Sequence, residues 1–126
     1  TEDKVLLGTV SYIAPEAFTD HQIDTRTDIW AFGVILFEAL TGQHPFASNN
    51  IMSQIQAITS ASVPDLESLR PNTPIALVDL IYRMLMRNPQ ERISSVRYIG
   101  AILDEIRNKK DPTIVPYWSY SAFLLF

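Results

Sequence analysis

IWAFGVILFEAL, residues 29–40, is the longest apolar run in the chain, and its reading decides the fold class. It follows Asp28, holds a single carboxylate, Glu38, and stops before Thr41-Gly42. A membrane span takes ~20 predominantly apolar residues, so the run is too short and too acidic to cross a bilayer. A helix that is hydrophobic nearly all round belongs inside a globular unit, as a buried axis on which other helices pack. Thr25, with Asp28 three residues later, has capping-box spacing and marks the start, aspartate standing in for the usual glutamate. Gly42 can take the left-handed conformation that ends it.

Further helices flank this one. Pro45-Phe46 forms a loop, and Asn49 or Asn50 can cap a helix whose Ile51, Ile55 and Ile58 share one face. Residues 60–73 hold two prolines, Pro64 and Pro71, and read as a loop. Thr73-Pro74 reads as a hydroxyl cap followed by proline at the first helical position. Val78, Ile81 and Leu85 then form a buried stripe flanked by Leu77 and Met84, and Asn88-Pro89 ends the helix. Ser94 caps the last one, with Val96, Ile99, Leu103 and Ile106 as its apolar face. Toward the N-terminus, residues 1–13 read as extended or looped and Pro15 to Phe18 as a short helical turn. No strand alternation of useful length and no internal repeat is visible. The chain is mainly α.

Composition narrows the function classes. At 126 residues this is one domain or a piece of one, and 47% hydrophobic residues place it among globular proteins. A formal net charge of -4 gives no basic field for nucleic acid. There is no cysteine, which excludes disulfides and thiolate metal sites and suits a reducing, cytoplasmic compartment. His21 and His44 stand apart without ligand-type spacing, so no zinc site is expected. The polar opening TEDK is no secretory signal. The tail WSYSAFLLF, residues 118–126, is too short to span a bilayer; a membrane-anchored parent protein is compatible with it.

Four blocks carry a family signature, in order: GTVSYIAPE at residues 8–16, DIWAFG at 28–33, LTGQHPF at 40–46 and NPQERIS at 88–94. A lone Ala-Pro-Glu arises by chance. Four ordered blocks do not. Together they resemble the C-terminal lobe of serine/threonine protein kinases, from the end of the activation segment through the last helices. The resemblance implies a protein-kinase-like C-lobe fragment over residues 1–107, lacking the β-rich N-lobe and the catalytic loop, with 108–126 an unassigned tail.

The resemblance also implies residue roles. Thr9 matches the threonine that shapes the pocket for the residue after the phosphoacceptor, a substrate-binding position. Glu16 and Arg92 match a buried ion pair that ties the activation segment to the last helices; the plain alternative is two exposed charges. Asp28 matches an aspartate that accepts amides of the catalytic loop, although a carboxylate in a first helical turn is favourable in any fold. Thr1, eight residues before Thr9, matches an activation-loop phosphorylation site.

Phosphoryl transfer is mainly positioning and electrostatic stabilisation. The family performs it with a glycine-rich loop, a strand lysine, a catalytic-loop aspartate and asparagine, and the metal-binding Asp-Phe-Gly. None occurs in these 126 residues. Gly8, Gly33, Gly42 and Gly100 are too dispersed to cradle phosphate, and Asp24 and Asp28 lack the Asp-Phe-Gly context of a metal pair. In the family all these elements precede Ala-Pro-Glu, so the expectation is a truncated piece of a kinase. The intact parent would use ATP and Mg2+ to phosphorylate a protein substrate, partnered by the missing N-terminal part of the domain; no residue here is expected to be catalytic. A non-catalytic protein-interaction module derived from a kinase lobe is the alternative.

Overall fold

The computed structural model describes residues 7–19 and 23–108. Thr1, His21 and the tail from residue 109 lie outside the described residues. The helices are α1 (Pro15–Thr19), α2 (Thr25–Thr41), α3 (Ile51–Ser60), α4 (Leu66–Leu69), α5 (Ile75–Met84) and α6 (Val96–Asn108). Among the described residues there is no strand, and no helix is long and apolar enough to cross a membrane.

The apolar run forms α2 as expected, with its start one residue earlier. Asp24, extended at φ -144, is the N-cap: its Oδ1 accepts the Arg26 N–H at 2.8 Å, and Thr27 Oγ1 accepts the Asp24 N–H at 3.4 Å. Thr25 and Asp28 are already helical, so the expected Thr25–Asp28 box gives way to an Asp24–Thr27 box. At the other end Gly42 sits at φ 73 and donates its N–H to Glu38 O at 2.8 Å, the left-handed termination a glycine allows.

Two clusters build the core, and α2 serves both. Trp30, Val34 and Phe37 pack with Ile58 of α3, Leu66 of α4, and Val78 and Ile81 of α5. Ile29 joins Leu80 and Met84 of α5 and Tyr98, Ile99 and Ile102 of α6. At Gly33 the packing is close enough that a Cβ would stand 2.9 Å from Met84 Cβ, so only glycine lets α2 and α5 meet there. The expected buried axis is buried on one side: Phe32 and Ile35 remain 38% and 49% exposed, because the described helices pack on the Trp30–Val34–Phe37 side.

Other boundaries shift for local reasons. Residues 7–10 are helical rather than extended, with Ser11 Oγ donating to Leu7 O at 2.6 Å. The loop expected at 60–73 contains α4, capped by Asp65 and anchored by the fully buried Leu66, whose N–H is accepted by the Tyr82 hydroxyl at 2.8 Å. Thr73 does not cap α5; its hydroxyl donates back to Arg70 O at 2.7 Å, and Pro74 is the N-cap without a side-chain bond. That helix ends at Met84, short of Asn88-Pro89, because the following segment turns its carbonyls toward Arg92. Asn50 caps α3, its Oδ1 accepting the Ser53 N–H. Ser95, not Ser94, caps α6, its Oγ accepting the Tyr98 N–H at 3.0 Å. On α6 the buried residues are Tyr98, Ile99 and Ile102, while Val96 is exposed.

Candidate functional site

Residues 8–16 lead from the N-terminal helical turn into α1, and two networks fix them to the helical core. The first surrounds Tyr12. Its hydroxyl donates to Glu38 Oε1 on α2 at 2.7 Å, and its ring meets His44 edge-on at 5.6 Å. The His44 ring in turn joins two backbone groups. Nδ1 accepts the Phe46 N–H at 3.0 Å, so the ring proton sits on Nε2, which donates to Ser11 O at 2.8 Å. Through this ring the loop after α2 holds the chain just before Tyr12. The Tyr12 pKa is raised, first by the bond to Glu38, then by burial and by the Glu38 charge.

The second network joins Glu16 to Arg92, 76 residues apart. Arg92 Nη1 and Nη2 donate to Glu16 Oε2 and Oε1 at 2.8 and 2.9 Å, a parallel two-bond fork. The remaining donors go to carbonyls: Nε to Met86 O, Nη1 to Arg26 O and Nη2 to Arg87 O. All five guanidinium N–H groups are thereby used. Thr27 Oγ1 donates to Glu16 Oε2 at 3.0 Å, and the guanidinium carbon lies 5.3 Å from the Trp30 ring centroid. Both charges are buried, with side-chain exposures of 0% and 3%. One arginine therefore connects α1, the start of α2, the segment after α5 and the core.

Burial pushes the Glu16 carboxyl up, but Arg92's bonds, the Glu16 backbone N–H, the Arg92 charge and the Thr27 hydroxyl outweigh it, and its pKa is lowered. A carboxyl whose folded pKa lies below its unfolded one stabilises the fold above the ordinary glutamate range, and that stability is lost as pH falls through the folded value. Urea unfolding followed from about pH 7 to about pH 3 is thus expected to show wild-type stability converging, at the acid end, on that of Glu16→Gln. A constant gap between the two proteins across that range would contradict the assignment.

Thr9 is exposed in the helical turn at residues 7–10, and Asp28 is exposed in the first turn of α2. The structure brings neither to the Glu16–Arg92 pair. Asp28 borders an apolar cavity of about 210 Å³ with Ile29, Phe32, Val96 and Ile99. The Tyr12–Glu38–His44 network was not foreseen from sequence, because no local spacing links positions 12, 38 and 44.

Gly33 faces the α5 side chains and Gly42 terminates α2, so neither is placed to cradle a phosphate. Among the described residues no three histidines or carboxylates converge.

The geometry falls within a known domain type. A family profile described as "Protein kinase domain" matches residues 1–105. The chain belongs to the serine/threonine protein kinase family. Serine/threonine-protein kinase ULK3 of Rattus norvegicus is 45% identical over 93 residues, which cover 74% of this chain and 20% of that protein. Serine/threonine-protein kinase PknL of Mycobacterium tuberculosis (strain H37Rv) is 32% identical over 106 residues, or 84% of this chain and 27% of that protein. Among solved structures, the twitchin kinase region from C. elegans superposes with a TM-score of 0.64 at 25% identity, covering 69% of this chain and 15% of that chain. The chain thus spans about a fifth of the length of the ULK3 relatives it matches. The helical architecture is that of a kinase C-lobe fragment.

Proposed function

We propose that this chain is the substrate-side helical part of a kinase catalytic domain, and that the whole protein transfers the ATP γ-phosphoryl group to serine or threonine of a protein substrate. The observation that carries this reading is the Glu16–Arg92 fork, which fastens the end of the activation segment to the last helices. In that protein Thr9 helps shape the pocket for the residue after the phosphoacceptor, Asp28 anchors the catalytic loop, and Thr1 takes a regulatory phosphate. ATP and Mg2+ are bound by the N-terminal part of the domain. The 126 residues alone carry none of the phosphate- or metal-binding elements, so by themselves they transfer no phosphate.

A non-catalytic interaction module is a second reading, favoured by the exposure of Phe32 and Ile35 on α2, with the exposed Val96 of α6 lining the same cavity as Phe32. Coding sequence upstream of Thr1 separates the two. An in-frame catalytic loop and Asp-Phe-Gly supports the kinase; upstream sequence with neither, joined to a chain that is monomeric and unfolds cooperatively, supports the module.

A further inference from the structure

Two cavities of about 370 Å³ flank residues 7–19, and their walls differ in charge. Glu38 and His44 border the first, the site of the Tyr12 network. The second lies where α1, the end of α3 and the segment after α5 meet, lined by Glu16, Thr19, Thr59, Arg87 and Asn88 with two prolines. Glu16 adds no free charge to this wall, because both its oxygens are held by Arg92.

Arg87 is different. It forms no ion pair among the described residues. Its Nε donates to Ile58 O at 2.8 Å and its Nη2 to Ala61 O, carbonyls at the C-terminal end of α3, and its guanidinium lies 5.9 Å from the Phe46 centroid. A cation clamping a helix C-terminus has structural value by itself. That clamp uses two of five N–H groups and leaves three for another partner. Burial meanwhile disfavours the charge and lowers the Arg87 pKa. Beside it, Asn88 Oδ1 accepts the Gln90 N–H at 3.0 Å, so the side-chain amide has its NH2 left to donate.

We infer that this second cavity is an oxyanion site, in which Arg87 and Asn88 bind a carboxylate or phosphoryl group. An oxyanion matches the planar guanidinium fork and supplies the countercharge that Arg87 lacks among the described residues. The proposal does not depend on kinase activity, since none of these residues is placed in phosphoryl transfer.

The test is a nuclear magnetic resonance titration of the full 126-residue chain, reading the Arg87 Nε–H and the Asn88 side-chain NH2. Inorganic phosphate and acetate are the probes. Expected is a saturable shift of both signals, weakened roughly tenfold or more in Thr59→Asp, which puts a carboxylate on the cavity wall as a competing partner for Arg87 and keeps the backbone carbonyls of the clamp. Tighter phosphate binding identifies a phosphoryl site, and equal or tighter acetate binding a carboxylate site. A wild-type titration without saturation overturns the proposal whatever the variant does. Shifts of equal strength in folded Thr59→Asp mean an adventitious ion only and overturn it too.

Discussion

Replacing Arg92 with methionine is expected to destabilise the chain by ~3–5 kcal/mol, because Glu16 would remain buried without its countercharge. An exposed pair would cost only ~0–1 kcal/mol. The burial of both side chains and the parallel fork decide for the larger figure. Glu16→Met is expected to cost a similar amount, since it strands the guanidinium. The double variant is expected to fall short of the sum, because neither charge is then left alone. It should not return to wild-type stability, as the carbonyls of Arg26, Met86 and Arg87 also lose their donor. Urea unfolding of the four proteins measures the cycle, and additive losses would contradict a coupled pair.

Trp30→Ala is expected to cost ~3–5 kcal/mol, in the range for deleting a buried aromatic side chain. Trp30 is fully buried, its ring stacks on Phe46 at 5.5 Å between centroids with planes 8° apart, and Arg92 covers it. Its removal opens a cavity at the junction of α2 and the loop that follows. Trp30→Phe is expected to lose distinctly less. It keeps a ring against Phe46 and removes an indole N–H that is buried without a hydrogen-bond partner among the described residues. Equal losses in the two variants by thermal or urea unfolding would show that ring stacking is not what holds this region.

The helices were legible in the sequence because their apolar residues recur at helical spacing, and most exist where that spacing places them. Their ends were less legible. Asp24 and Thr25 can each cap a helix, as can Ser94 and Ser95, and only the backbone geometry selects between neighbours. Phe32 and Ile35 could not be recognised as exposed, because α2 is apolar on every side and its pattern marks no outer face. Glu16 and Arg92 meet across 76 residues, so no local rule joins them; the ordered family blocks did. Glu38 and Arg87 lie outside those blocks, and Tyr12 and His44 lie in two different blocks that do not join them. Their arrangement arises from packing at the junction of several elements, which a linear reading does not contain.

The proposed division of labour, with substrate-side scaffolding here and nucleotide chemistry in the rest of a kinase domain, is tested most directly by thermal unfolding of this chain with Mg2+ and increasing ATP. A ligand that binds the native state raises its stability by ~2.7 kcal/mol at a hundredfold excess over its dissociation constant, and the melting temperature rises with concentration. No ATP-dependent change in melting temperature is expected. A saturable rise would contradict the account, because it would place a nucleotide site within these 126 residues.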